Sequence, residues 1–426
     1  MKKNICLIIT LLLFSSLLFS CRIKNEAETF IKDNNGILNI EKSKALEDFD
    51  YMFKVIENND PDLSVISRKY VVDKDKIYEK YSELLNKGTD DTISVNWMYT
   101  CFVSSLMEFK SGHLGLISKE SYPDYNLIYD TAIKDPSVIN DASVSDKIKY
   151  RYDQFNSSKT KEIYSYLGSG SALSSQNNTN TQSSNGENVS ILNINKNTLY
   201  IKIKSFASQY VESDSEKLKE ALNDSNKYNT IILDITGNGG GDSSYWQKNI
   251  VGNLIDKSIE VPAYYLSKSG NENLDYFNLM NIQFSYDTSK VTELEKINKS
   301  DLKDLNIFGE SNIGALPNED ATAFNGKIYL LVDGAVASSS ETFAYFCKES
   351  KFATLVGTNT GGYGLGFEPN AITLPNSGLI FRYDVVYGLN SDGSSNDEFG
   401  TTPDYKSNNN ETPQETCFRL INLNEN

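Results

Sequence analysis

The sequence of 426 residues contains a single histidine, His113, and five cysteines. Any mechanism that needs an imidazole base must therefore use His113. Beyond the first 21 residues the cysteines are Cys101, Cys347 and Cys417, odd in number and set in apolar or helical surroundings. They form neither a disulfide framework nor a metal-ligand spacing. Positive charge is also short: 41 Lys and Arg stand against 57 Asp and Glu, a formal net charge of -16. Phosphate backbones need clustered cations, so this field argues against nucleic acid as a partner. What is present, 39% hydrophobic and 23% charged residues, fits a globular chain long enough for two or three domains.

The N-terminus reads as an address. Met1-Lys2-Lys3 supplies a positive start, Ile5 through Phe19 an apolar run, and Leu18-Phe19-Ser20-Cys21 has the form of a lipobox. Residues 1–20 are thus expected to be a lipoprotein signal peptide, with lipid on Cys21 holding the chain at a bacterial membrane, outside the cytoplasm. An uncleaved anchor is the alternative. Residues 21–42 would be a tether, and 43–112 a small helical domain of three helices. Leu46, Phe49, Phe53 and Ile56 share one face of the first helix, Ile77, Tyr81, Leu84 and Leu85 define the second, and Val95, Met98, Phe102 and Leu106 the third. Residues 113–190 form a connecting region with weak periodicity, ending in a Ser/Asn/Thr-rich run over 168–190 that reads as a flexible loop.

From 191 to 410 the chain alternates strands and helices as α/β sheets do, with a tail over 411–426. Three places can carry chemistry. The first is the strand Ile328 to Val332, a break at Asp333-Gly334, and a helix opening at Ser338-Ser339-Ser340-Glu341. Free backbone N–H groups at such a helix start can stabilise negative charge beside a nucleophile, although Ser338 with Glu341 also fits an ordinary capping box. The second is the apolar run Thr230 to Ile235 ending in Thr236-Gly237-Asn238-Gly239-Gly240-Gly241-Asp242. Its glycines let backbone N–H groups converge on one atom, and its spacing is that of neither a P-loop nor a dinucleotide fingerprint. The third is Ser111-Gly112-His113, a glycine turn between a helix and a short strand. Residues 257–320 read as an irregular polar insertion, a possible lid or wall, and Ala371 to Leu374 pairs with Leu379 to Val386 as a hairpin.

The order of these motifs resembles the superfamily of serine peptidases that contains the C-terminal processing (tail-specific) proteases, the tricorn core and interphotoreceptor retinoid-binding protein. The resemblance rests on Ser111-Gly112-His113, Asp234-Ile235-Thr236-Gly237-Asn238-Gly239-Gly240, Ser338-Ser339-Ser340-Glu341 and Glu398-Phe399-Gly400-Thr401-Thr402-Pro403-Asp404. It implies an α/β fold with a ClpP/crotonase-like peptidase core after a small helical domain. It also implies a peptide or protein substrate, no metal or organic cofactor, and a Ser338, His113, Glu398 triad. The oxyanion hole would come from the N–H groups of Ser339 and of Gly239 or Gly240. Three positions depart from the family pattern: Thr236 stands for arginine, Leu114 for threonine, and Tyr363 for the lysine of the processing-protease branch. The pattern is therefore closer to the tricorn-like Ser/His branch. A non-catalytic binding lipoprotein on this scaffold and an esterase or amidase with the same triad are the alternatives.

Overall fold

Two apolar runs, Thr230–Asp234 and Lys327–Val332, lie side by side at the centre of a six-stranded sheet. The computed structural model describes residues 29–174, 187–223, 225–319 and 321–424. The expected signal peptide and Cys21 lie outside them. In chain order the strands are β1 (Phe30–Lys32), β2 (Leu38–Glu41), β3 (Thr92–Ser94), β4 (Gly115–Leu116), β5 (Val189–Asn195), β6 (Thr198–Ile203), β7 (Thr230–Asp234) and β8 (Ile259–Ser267). They continue as β9 (Ile307–Ala315), β10 (Lys327–Val332), β11 (Thr354–Gly357), β12 (Asn370–Thr373), β13 (Ile380–Tyr383), β14 (Tyr387–Leu389) and β15 (Tyr405–Lys406).

The large sheet runs β15-β11-β10-β7-β6-β5, parallel except for β5, which closes one edge antiparallel to β6. Its central strands are buried on both faces, which is why they are continuously apolar rather than alternating. Ile231 and Leu233 pack with Trp246, Phe343 and Phe346 on one face. On the other, Ile232, Tyr329, Leu331 and Val356 are covered by Cys417 and Ile421 of a C-terminal helix, Pro413–Asn424. The expected tail over 411–426 is thus largely that helix.

Before the sheet, helices Lys42–Asn59, Leu63–Tyr70, Lys74–Asn86 and Val95–Met107 pack around Phe49, Phe53 and Phe102. Three of them match the sequence periodicity. The fourth, Leu63–Tyr70, arises because the chain resumes a helix directly after Pro61 ends the first. The expected tether is ordered from Phe30 onward: β1 and β2 pair, β3 joins β2, and Phe30, Leu38 and Ile40 are buried.

Two stretches without clear period are also regular. Helices Tyr122–Ala132, Pro136–Ile139, Ala142–Asn156 and Ser158–Ser174 occupy the connecting region. Their core is aromatic rather than aliphatic, with Tyr122 stacked on Tyr164 at 4.1 Å and Phe155 beside Tyr125 and Tyr129. The polar run over 168–190 is helical to Ser174 and becomes strand at Val189, while 175–186 lie outside the described residues. The insertion over 257–320 is built on a nine-residue antiparallel pair, β8 with β9, to which β14 adds.

Asp48 joins the helical domain to the β12–β13 hairpin, its buried carboxylate accepting the N–H groups of Asn376 at 2.8 Å and Ser377 at 2.7 Å. Removing it leaves one buried and one partly buried N–H without an acceptor. Asp48→Ala should lower unfolding free energy by about 3 kcal/mol in urea titration, with Asp48→Asn recovering part of the loss. No change in either variant would contradict this coupling.

Candidate active site

At the end of β10 the chain turns through Asp333-Gly334 and enters helix Ser339–Ser350 with Ser338 in front of it. Ser338 has φ 54° and ψ -129°, a conformation that a residue with a side chain adopts only when its surroundings force it. Its N–H donates to Gly362 O at 3.1 Å, and its carbonyl accepts the Thr342 N–H at 2.9 Å. The capping box does not form. Ser338 makes no side-chain cap bond, and Glu341 is fully buried, accepting instead from Asn396 at 2.7 Å and Thr401 at 2.6 Å. Ser340 is also fully buried and donates to Asn238 Oδ1 at 2.8 Å, while the Ser339 hydroxyl accepts from Ser243 at 3.3 Å. Of the three serines, Ser338 alone has an uncommitted hydroxyl among the described residues, and it faces a cavity of about 480 Å³.

The glycine turn after β7 closes against this elbow. Gly240 has φ +101°, and a Cβ there would sit 2.7 Å from Ala337 O and 2.8 Å from Ser338 Cβ. Of the two expected glycine donors, Gly240 spends its N–H on Asn238 Oδ1 at 3.0 Å. Gly239 lines the cavity and its N–H makes no bond among the described residues. Ser339 is the first helical residue, so its N–H has no acceptor within the helix. Ser339 and Gly239 are therefore the pair that this geometry leaves for an oxyanion.

His113 reaches the same cavity through strand pairing. β4 and β13 are antiparallel, with Gly115 opposite Arg382 and Leu116 opposite Phe381. Carried two residues further, that register sets His113 opposite Asp384. His113 Nδ1 lies 2.8 Å from one Asp384 oxygen and 3.0 Å from the other. An ionised carboxylate only accepts, so Nδ1 carries the proton and Nε2 presents its lone pair.

The expected orienting residue, Glu398, is elsewhere. It begins from the short helix Asn396–Phe399 and pairs with Arg68 at 2.6 Å, while Arg68 also binds Asp301. Its neighbour Asp397 is the acid that turns inward, buried in a second lobe of the cavity and accepting the Gly388 N–H at 3.3 Å. Among the described residues the insertion over 257–320, expected as a lid or wall, contributes none to either lobe; Tyr125, Tyr129 and the stretch from Tyr363 to Pro369 form the walls.

The model of peptidase family S41 matches residues 197–407, which span the glycine turn, the Ser338 elbow and the Asp384 strand. That region belongs to peptidase family S41. Among solved structures, mature CPAF complexed with lactacystin is similar at 13% identity and a TM-score of 0.52, covering 90% of this chain and 97% of its own. A candidate peptidase from Parabacteroides merdae ATCC 43184 is similar at 18% identity and a TM-score of 0.50, covering 89% and 96%. No match was found among curated proteins. The chain is a serine-type peptidase by family, and these two structures share its fold.

The departures from the family pattern have physical counterparts in this S41 peptidase. At Thr236 the missing arginine charge comes from the adjacent strand: Lys202 Nζ donates to Asp234 Oδ1 at 2.8 Å and to Thr236 O and Oγ1, each at 2.6 Å. Leu114 is buried in the core of the helical domain. Tyr363, standing for lysine, packs edge-on against the His113 ring at 5.9 Å. No lysine lines either lobe of the cavity among the described residues.

Electrostatics sharpen the site. Burial alone would lower the His113 pKa, but the Asp384 charge and hydrogen bond outweigh it and hold the imidazole above its ordinary value. Burial pushes Asp397 and Asp62 up, each aggravated by neighbouring carboxylates. Asp62 has neither carboxylate oxygen bonded among the described residues. Burial likewise pushes the Tyr363 phenol up.

Because the folded pKa of His113 is raised, imidazolium is favoured by the fold below about pH 6.5, and that contribution is lost as pH rises through the folded value. The single histidine gives one imidazole signal, whose NMR titration midpoint should lie above 6.5 and fall in Asp384→Asn. A midpoint that Asp384→Asn leaves in place would contradict the pairing. Gly240→Ala should displace the serine turn and abolish reaction of Ser338 with an active-site probe, because the added methyl meets backbone on the elbow itself. Unchanged reactivity would show that the turn has room.

Proposed function

We propose that the protein hydrolyses peptide bonds with Ser338 as nucleophile, His113 as general base and Asp384 as the group that orients and stabilises the imidazole, and that Cys21 anchors it by lipid outside the cytoplasmic membrane. The observation that carries the catalytic reading is the His113 Nδ1 bond to Asp384 in the cavity that Ser338 also lines. Nε2 takes the Ser338 proton as Oγ attacks the substrate carbonyl carbon. The carbonyl π electrons move to oxygen, and the Ser339 and Gly239 N–H groups receive that oxyanion. One such donor is worth about 3 kcal/mol in the transition state. Collapse breaks the C–N bond, and the imidazolium returns its proton to the departing amine. Water then repeats the sequence on the acyl-enzyme, with the same base and acceptor groups. The anchoring reading rests on the apolar run and the Leu18-Phe19-Ser20-Cys21 box alone.

A fluorophosphonate probe should form an adduct on Ser338, located by peptide mass spectrometry, and labelling should be lost in Ser338→Ala and His113→Ala. A folded wild type that stays unlabelled would overturn the mechanism. Cells fed a palmitate analogue should incorporate it into the wild type and not into Cys21→Ala; equal incorporation would remove the anchor from the account.

A further inference from the structure

Two arginines stand in the cavity beside Ser338 without a carboxylate. Arg151, on helix Ala142–Asn156, is only 3% exposed. Its Nη2 donates to Pro369 O at 3.2 Å and its Nη1 to Gln154 at 3.3 Å, while the buried Nε has no partner among the described residues. Arg382, on β13, is half-buried, and its Nη1 donates to the Tyr125 hydroxyl at 3.3 Å. Arg68 and Arg419 show the ordinary arrangement in this acidic chain, each ion-paired with glutamate or aspartate. Among the described residues, neither Arg151 nor Arg382 has such a pair. The one acid lining that lobe is Glu368, whose carboxylate accepts the Tyr129 hydroxyl at 3.3 Å. Two cations thus face one anion, in a protein of net charge -16.

A guanidinium withdrawn from water needs an anion, and its planar fork fits a carboxylate. Position along β13 fixes where that anion would sit. Side chains two apart on a strand share a face, so Arg382 and Asp384 point the same way, one to the cavity and one to His113. Arg382 is close enough to oppose protonation of His113 by its charge. Tyr125, Tyr129 and Phe155 supply apolar wall beside the two guanidinium groups.

We infer that this lobe is a specificity subsite for an acidic side chain of the peptide substrate, its carboxylate bound by Arg382 and Arg151. The inference rests on the peptidase reading and names the residue class that the enzyme selects next to the scissile bond.

The test uses alanine-rich decapeptides blocked at both ends, carrying Glu, Gln or Lys at one position in turn, and a second set with a free C-terminus. The wild type should cleave at least one Glu peptide with kcat/KM about tenfold or more above its Gln counterpart. In Arg382→Gln that ratio should fall to about one, and in Arg382→Glu the preference should pass to Lys, a reversal that loss of packing alone would not produce. A Glu-to-Gln ratio near one in the wild type would overturn the subsite while leaving the peptidase intact. A preference confined to free C-termini would also overturn it, assigning the arginines to a main-chain carboxylate. If no peptide is cleaved and no fluorophosphonate adduct forms, the peptidase reading itself fails. Fluorescence anisotropy of labelled Glu and Gln peptides on Ser338→Ala then decides the subsite separately: tighter Glu binding supports it and equal binding rejects it.

Discussion

The pairing of β4 with β13 is the interaction on which the site depends. β4 contributes only Gly115 and Leu116 to it, yet their register against Arg382 and Phe381 determines what faces His113. A slip of one residue would turn Asp384 to the opposite face of the strand and leave the imidazole without its acceptor. The pairing is held from behind by buried Phe381, Ile380 and Leu114, and by Tyr164, whose hydroxyl donates to Ile117 O and accepts the Ile380 N–H. The helical domain thus acts on the chemistry by fixing a strand register, while the connecting helices both support that register through Tyr164 and wall the cavity with Tyr125, Tyr129 and Arg151.

Ser338, the proposed nucleophile, is delivered by a separate body. β10 and the helix after it belong to the large parallel sheet, where the strained turn at Ser338 is held by Gly362 and seated on Gly240. Asn238 binds the two loops together, accepting from Gly240 N–H and from Ser340. Strain at one residue is affordable because fully buried neighbours, Ser340 and Glu341 among them, leave the turn no other place to go. In the proposed triad, Asp384 and His113 sit beside one sheet and Ser338 on another, so the catalytic geometry depends on the packing between them.

What was legible in the sequence is what depends on neighbours in the chain. The strand, turn and helix around Ser338 are local, and so is the glycine turn after β7; both were visible from residue order. The histidine was identified because it is the only one. Its acid partner lies 271 residues away, a distance that only sheet register can close. The available signal was a lone aspartate inside the apolar run Leu379 to Val386, which a surface strand tolerates easily but a buried one does not. Glu398 was chosen from motif order, but it pairs with Arg68; in that short helix consecutive side chains point about 100° apart, and it is Asp397 that turns inward, while the acid bonded to His113 is Asp384 on another strand. The role of Lys202 leaves no trace in the sequence, because a charge supplied from the neighbouring strand is not visible along either strand alone. The connecting helices were missed because their core is tyrosine and phenylalanine, which a reading based on aliphatic period does not register.

The central claim is that Asp384, and not Glu398, serves His113. The second-order rate constant for acylation of Ser338 by a fluorophosphonate, measured in Asp384→Asn and in Glu398→Gln with folding checked by circular dichroism, tests it most directly. The account predicts a fall on the order of 10³–10⁴ for Asp384→Asn, as expected when the imidazole loses its orienting carboxylate, and a rate close to wild type for Glu398→Gln. A large fall at Glu398 with little change at Asp384 would contradict it.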